Sequence, residues 1–452
     1  MSKITLWSRE GHLVDRRVRP NASVVEADIP RLDTQGIADW ARTVLAGYAA
    51  HPIAYIIPVG HGAGVAALQN GKIAFTPFDY EAEPPASLLL DYRNQRAPFA
   101  ETGSPPLPGG LNLAAQLHWM THVYPDRIKN TVLLPWAQYW AWWLSGAAVS
   151  EVTSLGCHSD LWAPENADWS KLAYARGWAG RFAPLAKAGD VIGTLRPELA
   201  EETGLSTSIK ILAGLHDSNA ALMAARGFAE IAHNEATVIS TGTWFIAMRL
   251  PAHPVRMSDL PEGRDCLVNV DAYGAPVPSA RFMGGREIEA LIEIDTRRVD
   301  IRPDQPHLLA AVADVIARQA MFLPTLAPGC GPFPHGAGHW LNPPEDWFQR
   351  RAAACLYAAL VTDAALDLIG STERMLIEGR FADAEVIVRA LASLRPNTRV
   401  YIANAHNDVS FGALRLIDTA LVPEGGLRQV EPLAQHLSTY RARWRAAMET
   451  PE

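Results

Sequence analysis

Gly214-Leu215-His216-Asp217-Ser218-Asn219-Ala220-Ala221 places a carboxylate at the start of a helix, directly after a short apolar strand. Residues 209–212 read as that strand, 214–218 as a turn, and 219–226 as an alanine-rich helix closed by Gly227. An Asp here can cap the helix, because its oxygens accept free backbone N–H groups. It can equally serve as a general base, and these residues alone leave both roles open. Further on, residues 236–240 and 244–248 read as strands around the hydroxyl-rich turn Ser240-Thr241-Gly242-Thr243. Backbone N–H groups in such a turn can cradle phosphate oxygens, although most Thr-Gly-Thr turns are plain hairpins. A bulky residue at Gly242 is expected to clash with that turn. The third piece is Glu378-Gly379-Arg380-Phe381-Ala382-Asp383, between an apolar strand at 375–377 and a helix at 384–394. Its glycine allows a ribose or base close to the backbone, while Asp383 can cap the helix.

Strand and helix alternate along the rest of the chain. Residues 4–7 and 13–18 form a hairpin pattern turning at Glu10-Gly11. A helical pattern at 37–50 precedes a buried-strand run at 54–59, which opens into the loop His61-Gly62-Ala63-Gly64. Ligands often bind at such strand ends. Residues 77–110 are rich in Pro and Gly, contain Asp91-Tyr92-Arg93, and read as a loop too long for a mere connector. Helices are expected at 112–121, 135–144, 312–322 and 352–369, and the strand, turn and helix order recurs at 400–403, 404–408 and 409–416. The class is mixed α/β.

Composition narrows the function. The 452 residues are 48% hydrophobic and 19% charged, with Gly 33 and Pro 33, which is ordinary folded-protein usage for two or three domains. Forty basic against 48 acidic side chains give a net charge of -8, with no cationic stripe longer than pairs such as Arg16-Arg17, which disfavours nucleic-acid binding. Four scattered cysteines without a CxxC motif fit a reducing compartment, and the N-terminus lacks a signal-peptide pattern, so the cytoplasm is expected. The uncharged stretch 131–150 is long enough to span a bilayer. Pro135 at its first turn, Gly146 at its end, and its amphipathic middle (Gln138, Tyr139 and three Trp) make it a buried helix of about ten residues instead. His335, His339 and Cys330 are a weak metal set, more in keeping with a structural loop, and the metal ligands stay unknown. A hydrolase is disfavoured because no Gly-x-Ser-x-Gly elbow accompanies His61-Gly62-Ala63-Gly64.

Taken together, Thr153-Ser154-Leu155-Gly156-Cys157-His158-Ser159-Asp160-Leu161-Trp162, the Gly214 stretch, Ser240-Thr241-Gly242-Thr243-Trp244, and Glu378 to Asp383 with Asn404-Ala405-His406-Asn407-Asp408 resemble the FGGY family of carbohydrate kinases, in particular its rhamnulokinase and L-fuculokinase-like branch. The resemblance covers nearly the whole chain. It implies two actin-like (ribonuclease H-like) domains around a central cleft: residues 1–212 on the sugar side and 213–452 on the ATP side. It implies ATP-dependent phosphorylation of a ketose or related polyol with Mg2+, Asp217 as general base, and Thr241, Gly242, Thr243, Gly379 and Asn404 contacting ATP. His61, Gly62, Ala63, Arg93 and His216 are the expected sugar contacts, because polyols are held by planar polar groups in a cleft. A homodimer is possible. One departure is that Met1-Ser2-Lys3-Ile4-Thr5-Leu6-Trp7 resembles the family's second strand, so the first strand and its Asp-x-Gly-x-Thr phosphate turn are expected to be missing. The alternative function is therefore a catalytically impaired sugar- or nucleotide-binding homologue.

Overall fold

The computed structural model describes residues 1–22, 24–403 and 408–449. It divides into two compact units, one of Met1–Gly227 with Val268–Pro276 and Asn407–Pro423, the other of Phe228–Leu267, Val277–His406 and Glu424–Glu452. The sequence division at 212/213 falls just before the helix Asp217–Ala225, which lies in the first unit.

The first unit opens with the expected hairpin. Strand Ser2–Trp7 pairs antiparallel with Leu13–Arg19, and Gly11 turns between them at φ +88, where a side chain is strained. Helix Thr34–Gly47 follows, started by Asp33, whose side chain accepts the Gly36 N–H, and buries Ile37, Ala38, Ala41 and Leu45 along one stripe. The run at 54–59, expected as a buried strand, has Ala54 exposed, Pro58 buried and the rest half-buried, and becomes two short strands, Tyr55–Ile56 and Val59–Gly60, because Pro58 has no N–H for the ladder. Both pair in parallel with the segment that leads to Asp217: Lys210↔Tyr55, Ile211↔Ile56, Leu215↔Val59 and His216↔Gly60. Gly214 makes the crossing possible. It has φ +77, and a Cβ there would lie 2.1 Å from the Pro58 carbonyl oxygen.

Two stretches differ from the sequence pattern. Residues 77–110 hold two helices, Ala86–Arg93 and Phe99–Thr102, each begun after a proline (Pro85, Pro98) that suits a helix entry. The surrounding prolines and glycines hid them; Tyr92, Phe99 and Thr102 are buried, and Leu88 and Leu89 pack partly buried on the core cluster that holds Tyr92. The uncharged stretch yields helix Trp136–Ser145, closed by Gly146 at φ +83. No helix among the described residues is long and apolar enough to cross a membrane.

In the second unit, strands Phe245–Leu250, Ala236–Thr241, Arg374–Gly379, Arg399–Ala403 and Leu427–Gln429 lie side by side in that order in one sheet. Ala236–Thr241 runs antiparallel to Phe245–Leu250 and parallel to Arg374–Gly379, with Thr241 opposite Gly379. Helix Trp347–Leu368 is buried from Arg351 to Leu366, which explains why its sequence is apolar on every side. The pattern at 312–322 splits into the end of helix Gln305–Ala317 and strand Met321–Leu323. Gln319, at φ +55, turns the chain between them, and the strand then pairs with His339–Leu341.

Candidate active site

Parallel pairing of Val59–Gly60 with Leu215–His216 delivers two chain segments from the same strand end: the His61 loop and the helix that starts at Asp217. Asp217 is not the cap of that helix. The ring of His216 holds that place, its Nδ1 accepting the Ser218 N–H at 3.2 Å. Asp217 is the first helical residue, its Oδ1 accepting the same N–H at 2.6 Å, and its side chain stays 48% exposed. The sequence could not separate cap from base, because both roles want a short acidic group at a helix start.

His216 is 4% exposed. Burial holds its imidazole below the ordinary pKa, with Asp217 opposing. Its Nε2, 3.5 Å from Asp217 Oδ1, therefore makes a dipolar contact and not an ion pair. With Nδ1 accepting, the neutral ring carries its proton on Nε2. His158 has the opposite polarity, because its Nδ1 donates to the Leu111 carbonyl at 2.6 Å, which leaves its Nε2 as an acceptor. Both Nε2 atoms flank Gly62. A Cβ on Gly62 would lie 2.8 Å from that of His216 and 3.0 Å from that of His158.

His61 packs between Tyr80, 4.7 Å away, and Trp136, 5.7 Å away, and its Nδ1 donates to the Gly62 carbonyl at 3.0 Å. Burial lowers its pKa, while the Gly62 carbonyl and the Asp217 charge oppose the shift. Burial also raises the Tyr80 phenol, with Glu81, Asp79 and Asp217 adding to it. Ala63 adopts φ +63, and its carbonyl is held by the Gln116 amide. His61, Gly62, His216 and Asp217 thus come together, joined by Tyr80, Trp136 and His158, which the sequence reasoning did not nominate. His158 lies inside a stretch quoted for the resemblance. Tyr80 lies in the supposed loop, where nothing marks it.

Arg93 stands apart. It is exposed at the end of Ala86–Arg93, and no hydrogen bond or ion pair among the described residues ties it to this group. Its neighbours turn inward instead: Tyr92 donates to Asp160, and Arg96 pairs with Asp160 at 3.1 Å.

The second unit's turn has its own logic. Thr241 Oγ1 donates to the Glu378 carbonyl at 2.6 Å and accepts the Phe381 N–H at 3.0 Å, so its hydroxyl staples the Gly379 turn to the strand beside it. Gly379 has φ +87, and a Cβ there would lie 2.3 Å from the Thr241 carbonyl oxygen. Ser240 Oγ donates to Glu378 Oε1 at 2.9 Å, and burial raises that carboxyl's pKa against this bond. Thr243 is exposed at the tip. Around Gly242 the steric expectation fails: a Cβ there meets only the Trp244 carbonyl oxygen, at 3.9 Å. The tight glycine is Gly285, at the start of helix Gly284–Ile292, whose added Cβ would come within 2.0 Å of the Gly242 carbonyl oxygen. Asn404 lies outside the described residues.

Among the described residues no three His, Cys, Asp or Glu gather as metal ligands, so Cys330, His335 and His339 form no such group. Mg2+ often keeps several waters and binds through one or two carboxylates plus substrate phosphates.

Comparisons with known proteins carry the same signature. Residues 91–224 match the model of the N-terminal domain of the FGGY family of carbohydrate kinases, and residues 233–424 match that of its C-terminal domain. A carbohydrate kinase from Novosphingobium aromaticivorans is 64% identical over 99% of this chain and 97% of that one, with a TM-score of 0.96. The chain belongs to the FGGY family of carbohydrate kinases. A ligand-bound xylulose kinase from Lactobacillus acidophilus (14% identity, 99% of this chain and 94% of that one, TM-score 0.78) has the same fold. So does an ADP-bound glycerol kinase from Plasmodium falciparum (11%, 99% and 95%, TM-score 0.79). A search of curated proteins finds no match. The chain is thus an FGGY phosphotransferase with that family's two-domain fold, and the family phosphorylates sugars with ATP.

Proposed function

We propose that this FGGY kinase phosphorylates a hydroxyl of a ketose or related polyol, with Asp217 as the general base. The observation that carries the assignment is the parallel register His216↔Gly60, which sets the Asp217 carboxylate beside the His61-Gly62 loop while the His216 ring does the capping. The carboxylate shares the Ser218 N–H with the His216 ring and is half exposed, as a base must be to meet a substrate proton. The His216 and His158 rings both flank Gly62 beside the Asp217 carboxylate, planar polar groups of the kind that hold a polyol. The tilted rings of His61 and Trp136, 5.7 Å apart, add flat surface beside the same loop.

The acceptor O–H gives its proton to Asp217 while its oxygen bonds the γ-phosphorus of ATP. The bond from that phosphorus to the β,γ-bridging oxygen breaks, and ADP leaves. Gly242, Thr243 and Gly379 line the turn assigned to the nucleotide, with Thr241 fixing its shape. The ion brought by ATP offsets phosphate charge. The test is ADP release from MgATP in the presence of L-rhamnulose, L-fuculose, D-xylulose, D-ribulose and glycerol. Release that depends on one of them supports the assignment. Binding of both ligands with no release would make the chain a binding protein instead.

A further inference from the structure

Behind the His216-Asp217 helix start sit Glu151 and Thr153, both 0% exposed. Glu151 ends the strand Ser150–Glu151 and caps the short helix Val152–Leu155. Its Oε1 accepts the Thr153 N–H at 3.0 Å, and its Oε2 accepts the Ser154 N–H at 3.3 Å and the Thr153 hydroxyl at 2.5 Å. The same hydroxyl oxygen accepts the backbone N–H of His216 at 2.9 Å. A chain of hydrogen bonds therefore runs from a buried carboxylate to the residue just ahead of the base.

A cap alone does not call for Glu. Ser, Thr, Asp or Asn caps a helix at lower cost, and a buried carboxylate with no cation among its bonded partners is an expensive choice. Burial pushes this carboxyl up to about 7 in spite of its three bonds. What the carboxylate adds is polarity. Ionised, it only accepts, so the one proton of the Thr153 hydroxyl must point to it, and a lone pair is left for the His216 N–H. Glutamine has nearly the same shape but cannot do this. Either orientation of its amide sets an NH2 against a donor, the Thr153 N–H on one side or the Ser154 N–H and Thr153 hydroxyl on the other.

We propose that Glu151, acting through Thr153, is a positioning residue for Asp217, fixing the backbone at His216 and so the direction in which the base carboxylate leaves its helix. This rests on the assignment of Asp217 as base. The test compares wild type, Thr153→Val, Thr153→Ser and Asp217→Asn, with MgATP and whichever ketose of the panel gives the fastest ADP release, together with hydrogen exchange at the His216 amide. Thr153→Val should lower kcat ~10-fold or more, because small misplacements of a reacting group are costly. Its KM for the ketose should move less than about threefold, since the sugar contacts remain, and the His216 amide should exchange faster. Thr153→Ser, which keeps the hydroxyl, should restore both turnover and protection. A folded Thr153→Val enzyme with kcat within about twofold of wild type, or a Thr153→Ser enzyme as slow as Thr153→Val, overturns the proposal. If Thr153→Val does not fold, Glu151→Gln is measured against the same expectations. Activity surviving in Asp217→Asn overturns the base assignment and the positioning role with it, whereas loss there beside an unaffected Thr153→Val overturns the positioning role alone.

Discussion

Because an Asn side-chain oxygen accepts the Ser218 N–H much as the Asp217 carboxylate does, and the His216 ring shares that N–H, the charge can be removed with little effect on the helix start. Asp217→Asn should keep the thermal transition within a few degrees and lower turnover ~100-fold or more, on the usual magnitude for a lost general base. Sugar affinity should change little, and retained turnover in the folded variant would remove Asp217 from the chemistry. Gly62 tests the neighbouring claim. It is a glycine for space and not for backbone angle, since an added methyl would press on two imidazole nitrogens inside 3.1 Å. Gly62→Ala should raise the KM for sugar several-fold while leaving ATP affinity alone, because one ring must turn from the substrate. Equal losses for both ligands would point to general unfolding instead. The sequence exposed Asp217, His216 and the His61 loop because strand ends and helix starts leave local marks. Tyr80 and His158 were invisible as site residues because tertiary folding, not spacing, brings them in. Arg93 misled for the converse reason: it shares its stretch with Tyr92 and Arg96, which turn inward, while its own helix position faces solvent.

At the scale of turns and short helices, two glycines that look alike in sequence should behave oppositely. Gly379 combines φ +87 with ψ -167, a region nearly reserved for glycine, and faces the Thr241 carbonyl oxygen at 2.3 Å from any added Cβ. Gly379→Ala should therefore destabilise the protein by about 1–3 kcal/mol and weaken MgATP binding. Gly242→Ala has open space and should change stability by less than about 0.5 kcal/mol, so paired denaturant titrations decide between strain and simple turn propensity. Glu151 gives a prediction in pH. Its folded pKa of about 7 stands above the ordinary glutamate value of 4.5, so the folded state holds the proton more tightly. Between those values the native state binds more protons than the unfolded one, and stability must fall as pH rises. The fall credited to this group is about 3 kcal/mol from pH 4.5 to 7. In Glu151→Gln that component should vanish, and a pH profile parallel to wild type would show that the carboxyl is not perturbed.

Over the whole molecule, the alternating strands and helices and the FGGY family were legible, because the stretches at Gly214, Ser240 and Glu378 each couple a strand end to a turn that needs glycine, hydroxyl or carboxylate groups. The boundary of the first compact unit was not, since residues 268–276 and 407–423 join it from far along the chain. Contacts such as Lys3 with Asp408 at 2.6 Å, and Arg226 with Asp271 at 2.7 Å, leave no periodic trace. The split strand at 54–59 shows the same limit on a smaller scale. Its apolar run was evident, but the break at Pro58 depends on Gly214 lying alongside. The most direct test of the central claim is a coupled assay of ADP release with MgATP and the sugar panel, run on wild type and Asp217→Asn together. Sugar-dependent release by the wild type, reduced ~100-fold or more in Asp217→Asn with sugar binding intact, is the predicted result. Equal sugar-dependent release by the two proteins would contradict it.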